Sequence, residues 1–272
     1  MTSKALNRRM VSSGTMTAVW FCAIAIAASA MVGLLTMAPE SEWLRSRPYA
    51  VFIGTSLTLN ALPSEQFASN FFLTVTEHDR FVRMASNAIS DTEIVQRVEH
   101  AVLAGVKRIF VEIDPLLRTY RSVYKLPAGI RAIQEFSERL RFTLREQLRL
   151  HGDDPGGAAF DGFVGGQPVD FLIHAPRHPA GIAKVLELAK NRELDIVWVA
   201  MPRSQSAADQ LGPAFESAFA SRLQEFALAM GANVWRPTIA WPDELFKDRA
   251  HLNSAGRERF MTELRRHGMG RQ

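Results

Sequence analysis

The sequence predicts an α/β fold, a three-layer α/β/α sandwich with a central parallel sheet, preceded by one transmembrane helix. Short apolar runs bounded by turn residues, such as 106–113 and 195–201, are typical of buried strands. Between these runs lie segments with apolar residues every three or four positions, which predict helices. Strands that alternate with helices form parallel sheets covered on both faces. An uncharged stretch at 10–39 indicates a membrane span.

The composition is compatible with one sizeable folded domain. The chain has 272 residues, of which 47% are hydrophobic and 22% charged, enough to bury a large core. A net charge of +4 does not make it a nucleic-acid-binding protein, because the basic residues are spread along helices that also carry acids and no binding motif is present. The single cysteine, Cys22, excludes a disulfide or a cysteine metal site within one chain.

The predicted membrane anchor is the apolar run 16–38. Its 23 residues span about 35 Å as a helix, which is enough to cross a bilayer. The alternative is a cleaved signal peptide with its cleavage site at Ala28-Ser29-Ala30. We expect an uncleaved anchor, because the apolar run continues beyond the usual length of a signal core.

Charges before the anchor predict its orientation. Lys4, Arg8 and Arg9 precede the run without an acidic residue among them, so the positive-inside rule places the N-terminus in the cytoplasm. The chain is therefore expected to cross the inner (cytoplasmic) membrane once and to hold its C-terminal domain in the periplasm or outside the cell. The predicted organisation is a cytoplasmic tail at 1–15, the anchor at 16–38, a linker at 39–48 and the α/β domain at 49–272.

The first strand of the domain is predicted at 50–53, and it leads into the turn Gly54-Thr55-Ser56. This turn places Ser56 at the carboxyl edge of the sheet, where open α/β folds bind their ligands. Taken alone, a serine in such a turn is more often a helix cap, which binds the next helix through its side chain.

The remaining elements follow in order. Ser90 and Glu93 have the spacing of a capping box, so they start a helix that ends near Gly105. The segment 152–168 is rich in glycine and proline and is predicted to be a surface loop. Predicted strands are 80–85, 106–113, 169–174, 195–201 and 232–236; predicted helices are 91–104, 129–150, 181–191, 215–230 and 255–266; and 67–75 stays open between helix and strand.

A second group of polar residues lies just before the last helix. Asp248 and His251 are three residues apart, so one helical turn puts both side chains on one face. The carboxylate then accepts from one ring nitrogen of His251 and leaves the other facing Ser56. A serine hydroxyl becomes a nucleophile when a base takes its proton and a third group fixes that base. Ser56, His251 and Asp248 are therefore the predicted catalytic residues.

Two sequence blocks, one at each end of the domain, carry a resemblance. Gly54-Thr55-Ser56-Leu57 and Asp248-x-x-His251, the latter followed by Leu252-Asn253, resemble the Gly-Asp-Ser-Leu and Asp-x-x-His blocks of the SGNH (GDSL-like) hydrolases and acyltransferases. Thr55 departs from the aspartate of that family. The resemblance implies a flavodoxin-like sheet and similarity to the membrane-anchored polysaccharide O-acetyltransferase branch.

The resemblance also implies an oxyanion site. The family has a glycine after the second strand whose N–H donates to the oxyanion, and here residues 85–88 are Ala-Ser-Asn-Ala. Every residue except proline has such an N–H group. The expected oxyanion donors are therefore Ser56, Asn87 and Ala88.

The Gly-x-Asn-Asp block of the family is replaced by Glu112-Ile113-Asp114-Pro115. An ionised Asp114 aimed at an oxyanion would oppose its charge. We therefore expect Asp114 to point away, to be protonated, or to pair with a cation such as Arg118. The alternative role for Asp114 is that of a turn or helix-capping residue.

Trp241 and Asn253 are the candidates for substrate contact, since both flank the segment that carries His251. Trp198 lies inside a predicted strand and is expected in the core. His174 and His178 have the spacing of a helical zinc pair, but the prolines around them disfavour a helix. Neither a metal nor a cofactor is expected.

The resemblance implies a serine O-acyltransferase or esterase that acts on acyl (acetyl) esters of a cell-envelope or secreted polysaccharide. It also implies a possible partner, a multi-spanning membrane protein that supplies the acyl group. The alternative function is a catalytically silent SGNH-like scaffold or glycan-binding subunit of an envelope polysaccharide complex. The missing Gly-x-Asn-Asp block and Thr55 favour this alternative.

Overall fold

The structure, a computed structural model, describes residues 49–62, 81–85, 89–120, 163, 170–237 and 240–268. The main sheet within them consists of five strands: β1 (Ala50–Gly54), β2 (Phe81–Ala85), β3 (Arg108–Glu112), β6 (Asp195–Val199) and β8 (Asn233–Trp235). Their order across the sheet is β2-β1-β3-β6-β8, and each neighbouring pair is parallel. Renumbered among themselves these strands have the order 2-1-3-4-5, in which the winding reverses between β1 and β3. The prediction of a central parallel sheet is confirmed.

The strands β1, β2, β3 and β6 are mostly buried on both faces, because helices cover the sheet on two sides, while the edge strand β8 begins at the exposed Asn233. In β1, Val51 and Ile53 pack on one side, while Ala50 and Phe52 pack on the other. The first side is covered by α2 (Asp91–Leu103), the short α3 (Asp114–Leu117), α4 (Pro179–Asn191) and α5 (Gln205–Met230). The second side is covered by α1 (Ser56–Ala61) and α6 (Ser254–Gly268). Strands buried on both faces read as continuous apolar runs, which is the pattern that the sequence shows.

Local cap signals fix several helix ends. Ser90 accepts from the N–H of Glu93 at the start of α2, as the capping box predicts, and the chain leaves this helix through Gly105 at a φ of 77°. The helix α5 begins at Gln205, ten residues before the predicted start at 215, because the side chain of Ser204 caps it by accepting from the N–H of Ala207. Gly212 interrupts α5 with a non-helical backbone.

Two small sheets lie beside the main one. Residues Arg118–Tyr120 (β4) and Phe171–Ile173 (β5) pair antiparallel, so the predicted strand at 169–174 exists but stays outside the main sheet. Residues Arg203–Ser204 (β7) and Ala240–Trp241 (β9) pair in parallel. A short 3₁₀ helix, Asp243–Leu245, follows β9.

Some predictions fall on residues outside the described ranges. These are the element at 67–75, the helix at 129–150, most of the loop at 152–168, and the anchor at 16–38. Within the described ranges, no helix is long and apolar enough to cross a membrane. The anchor, the domain boundaries and the location of the protein stay predictions.

Gly256, in the first turn of α6, lies against the backbone of the 3₁₀ helix. A Cβ at this position would be 2.0 Å from the carbonyl oxygen of Leu245 and 2.9 Å from Cδ2 of Leu252. We expect Gly256→Ala to lower the free energy of unfolding by about 1–3 kcal/mol, because the backbone has to move apart. Urea denaturation measures this change. Ala255→Ser adds one atom at the exposed neighbouring position and is the control; equal stability of both variants would contradict the packing described.

Candidate active site

Ser56 is the first residue of α1, directly after the turn that ends β1. The cap of this helix is Thr55, whose hydroxyl oxygen accepts from the N–H of Leu57 at 3.2 Å. The alternative role of Ser56 as the helix cap is therefore wrong, because Thr55 is the cap and the hydroxyl of Ser56 is left for another contact. Because Ser56 lies at the carboxyl edge next to the reversal between β1 and β3, it is where ligands of doubly wound folds bind.

The loop that carries His251 is held at both ends by buried apolar residues. Phe246 and Leu252 form an antiparallel bridge, and both belong to the core beneath α1 and α6. Within the loop, the N–H of Lys247 donates to the carbonyl of His251 at 2.9 Å. These contacts fix the position of the imidazole from below while its other side stays open to solvent, with 27% of the side chain exposed.

The structure brings Ser56, His251 and Asp248 together across 195 residues of sequence. Nε2 of His251 lies 3.2 Å from Oγ of Ser56, and Nδ1 lies 2.8 Å from Oδ2 of Asp248. A carboxylate can only accept, so Nδ1 carries the proton and donates to Asp248. Nε2 is then the unprotonated nitrogen that accepts from the serine hydroxyl, which is the arrangement of a general base facing a nucleophile.

Asp248 has the electrostatic properties of a group that orients a base. Burial acts to raise its pKa, but the hydrogen bond and charge of His251 and the N–H groups of Ala250 and His251, each at 2.8 Å, outweigh it. The pKa falls from 3.8 to about 2. The carboxylate is thus ionised, and it accepts from the imidazole throughout the neutral range.

A pair of side chains ties the serine helix to the histidine loop. The amide of Asn60 donates to the carbonyl of Ser56 at 2.6 Å, and its oxygen accepts from the ammonium group of Lys247. Lys247 is also the residue whose N–H bonds to His251. The two segments that carry the nucleophile and the base are therefore joined a second time, below the reacting atoms.

Glu112, at the end of β3, is a residue near the nucleophile that the sequence did not single out. Its carboxylate is fully buried and accepts from the N–H and hydroxyl of Thr55 and from those of Thr58. Burial and the charge of Asp114 raise its pKa, while the bonds from the two threonines oppose the rise. The available signal was an acidic residue at the end of an otherwise apolar strand, directly at the carboxyl edge.

Asp114 is neutralised by Arg118, as one of the predicted possibilities states. The guanidinium contacts the carboxylate at 2.5 Å, and both side chains are buried. The second oxygen, Oδ2, accepts from the N–H of Met201 at 2.8 Å. These partners occupy the carboxylate, so Asp114 ties the ends of β3 and β6 together.

Two predicted substrate contacts are wrong. Trp241 is fully buried, because β9 pairs with β7, and the guanidinium of Arg259 lies 4.4 Å from its ring centre. Asn253 is only 7% exposed, and its amide donates to the carbonyl of Glu244 at 2.7 Å while its oxygen accepts from the N–H of Gly256 at 3.0 Å. Both residues support the histidine loop, and neither is placed to contact a ligand. Trp198 is buried in the core, as expected.

Of the expected oxyanion donors, Asn87 and Ala88 lie outside the described residues. Ser56 is within them, and its N–H is in the first turn of α1, where no carbonyl of the helix can accept it.

His174 and His178 do not share a helix face, since His178 precedes α4 with a φ of 53°. Nε2 of His174 lies 3.1 Å from the hydroxyl of Thr119, and Nε2 of His178 lies 3.0 Å from that of Thr92.

The lowered pKa of Asp248 predicts a pH dependence of stability. A carboxyl group whose pKa is lower in the folded state stabilises the fold above the unfolded pKa near 3.8, and this contribution is lost as the pH falls through about 2. The stability difference between the wild type and Asp248→Asn should therefore shrink as the pH falls from 4 to 2. Thermal unfolding across this range measures it. A difference that stays unchanged down to pH 2 would show that Asp248 is not held as described.

No family model matches the sequence, and no curated protein matches it. Among solved structures, a GDSL-like lipase from Bacteroides thetaiotaomicron matches 82% of this chain and 87% of its own, with a TM-score of 0.43 and 11% identity. A catalytic mutant of an acetylxylan esterase from Geobacillus stearothermophilus matches 80% of this chain and 93% of its own, with a TM-score of 0.43 and 12% identity.

Overlap and identity at this level are too low to assign a fold or a chemistry to the chain by themselves. The strand order and the side-chain geometry are independent of these matches. A sheet of order 2-1-3-4-5, a serine directly after its first strand and an Asp-x-x-His segment before its last helix are present together. These features are the ones that the resemblance to the SGNH (GDSL-like) proteins implies, and they stand on a central parallel sheet covered by helices on both faces.

Proposed function

We propose that this protein is a serine O-acyltransferase or esterase that acts on acyl esters, acetyl esters above all, of a cell-envelope or secreted polysaccharide. The observation that carries the proposal is the contact of His251 Nε2 with the hydroxyl of Ser56, together with the ionised Asp248 behind the imidazole. Each of the three groups has the partner that acyl transfer by serine requires.

The first half of the reaction forms an acyl-enzyme. Oγ of Ser56 attacks the carbonyl carbon of the ester, and its proton passes to Nε2 of His251. The imidazolium that results is stabilised by Asp248, and the tetrahedral oxyanion is stabilised by the N–H of Ser56 and by those of Asn87 and Ala88. When the intermediate collapses, the bond to the alcohol oxygen breaks and His251 returns the proton to that oxygen.

The second half uses the same residues in reverse. A hydroxyl group gives its proton to His251 and attacks the acyl carbon, and Ser56 leaves with the proton returned by the imidazole. If water is the acceptor, the protein is an esterase, and if a sugar hydroxyl is the acceptor, it is a transferase. The exposed fraction of His251, 27%, supports access by an acceptor from solvent or from a glycan chain.

The substrate class and the cellular setting are part of the proposal. The apolar run 16–38 and the basic residues before it support a domain held at the outer face of the cytoplasmic membrane. The acyl esters that such a domain would meet there are those on polysaccharides of the envelope or of the secreted matrix. By analogy with the O-acetyltransferase branch that the sequence resembles, a multi-spanning membrane protein is the proposed acyl donor.

The alternative, a catalytically silent scaffold or glycan-binding subunit, makes different demands on the same residues. A silent domain has no need for a serine, a histidine and an aspartate at hydrogen-bonding distance. The missing Gly-x-Asn-Asp block still favours this alternative, so labelling of the serine decides between the two.

A serine-directed fluorophosphonate should label the full-length detergent-solubilised protein at Ser56, because His251 makes the hydroxyl nucleophilic. Ser56→Ala should remove the label, and His251→Gln should slow labelling by roughly a hundredfold or more. Hydrolysis of an acetyl-ester reporter should fall in parallel. Mass spectrometry of the labelled peptide identifies the site.

Ser254→Ala is the matched control, since Ser254 is an exposed serine outside the site, and this variant should label as the wild type does. An unlabelled wild-type protein that retains its thermal unfolding transition would contradict the enzyme proposal and support the silent scaffold. Faster deacylation on addition of an oligosaccharide, with an acetylated sugar as product, would identify the transferase.

A further inference from the structure

Four hydrogen bonds join Glu112 to the two threonines that flank Ser56. Oε2 accepts from the N–H of Thr55 at 2.8 Å, from the hydroxyl of Thr58 at 2.7 Å and from its N–H at 3.3 Å. Oε1 accepts from the hydroxyl of Thr55 at 2.6 Å. The carboxylate thus contacts the residue directly before the nucleophile and the residue two positions after it.

These contacts satisfy groups that the start of a helix leaves without partners. The N–H groups of the first turn have no acceptor inside the helix. Thr55 serves the N–H of Leu57, and Glu112 reaches across from β3 to serve the N–H of Thr58 and that of Thr55 itself. The backbone on both sides of Ser56 is therefore held by a side chain from the neighbouring strand.

The fit around the carboxylate is close. A Cβ at Gly54 would lie 2.6 Å from Oε2 of Glu112 and 2.0 Å from the hydroxyl oxygen of Thr58. Only glycine permits this approach, so the glycine of the turn and the glutamate form one unit.

The same geometry accounts for the threonine that departs from the Gly-Asp-Ser-Leu pattern. An aspartate at position 55 would bring a second carboxylate next to Oε1 of the buried Glu112. Two carboxylates at that distance cannot both be ionised. The hydroxyl of Thr55 donates to Glu112 and still accepts from the N–H of Leu57. An ionised carboxylate at position 55 could accept from Leu57 but could not donate to Glu112.

We propose that Glu112 is a positioning residue of the acyl-transfer site, which fixes the turn around Ser56 so that its hydroxyl faces His251, and that Thr55 is its obligatory hydroxyl partner. This inference rests on the proposed function for its catalytic part. The carboxylate that holds the turn around Ser56 comes from the neighbouring strand β3. Thr55, the second residue of the Gly54-Thr55-Ser56 turn, donates its hydroxyl hydrogen bond to this carboxylate.

The first test compares Glu112→Ala and Glu112→Gln in the full-length protein. The assay temperature is chosen so that both variants are folded to the same extent as the wild type. Loss of the carboxylate in Glu112→Ala frees the turn, so kcat on the reporter ester and the rate of fluorophosphonate labelling should both fall by about tenfold to a hundredfold, with KM unchanged. Glu112→Gln should recover most of the activity, because the amide oxygen accepts the two N–H groups and the amide nitrogen donates to Thr55.

The matched control is Glu216→Ala, which removes a partly buried carboxylate that pairs with Arg203 and Arg236 away from the turn. This variant should lower the melting temperature and leave kcat within about twofold of the wild type. A Glu112→Ala variant with wild-type kcat and labelling rate would overturn the positioning role, and the proposed function would stand as long as Ser56→Ala stays inactive.

The second test is independent of activity and serves where Glu112→Ala does not fold. In a double-mutant cycle, Thr55→Asp should lower the melting temperature by several degrees with Glu112 present and by much less in the Glu112→Gln background. Equal losses in both backgrounds would overturn the pairing of Thr55 with Glu112. Because this cycle reads only stability, it gives a result even if the wild type proves unlabelled and the proposed function fails.

Discussion

The hydrogen bond between Ser56 and His251 depends on a constraint of the parallel sheet, which places the carboxyl ends of all its strands at one edge. The serine follows β1 directly, while the histidine loop rests on the apolar core beneath α1 and α6 through Phe246 and Leu252. Asn60 and Lys247 add a second connection below the reacting atoms. The distance of 3.2 Å between nucleophile and base is thus set by packing of the whole domain rather than by any local motif.

Three carboxyl groups lie near this edge, and each has partners within the protein. Asp248 is ionised and turned toward the imidazole, and its pKa is lowered to about 2. Asp114 is paired with Arg118. Glu112 is buried, and its oxygens are taken up by hydrogen bonds from Thr55 and Thr58. The polar contacts of all three carboxyl groups are therefore made within the protein.

Much of this arrangement could be predicted from the sequence, because it depends on local signals. The capping box at Ser90, the apolar strands and the Asp-x-x-His spacing act over a few residues and are readable in order. Glu112 was missed, since its role depends on which strand lies next to β1, and sequence order does not give that neighbour. Trp241 was expected to contact substrate because a two-residue strand has no periodic pattern that shows its burial, but it pairs with β7 and packs in the core.

The central claim is that Ser56 carries the acyl group during turnover. Rapid acid quenching of the wild-type protein mixed with an activated acetyl ester, followed by peptide mass spectrometry, measures this directly. We expect the added mass of one acetyl group on the peptide that contains Ser56, and this adduct should form quickly in the wild type and far more slowly in His251→Gln. Turnover of the ester with no acetyl group on Ser56, or with acetylation that is equally fast in both proteins, would contradict it.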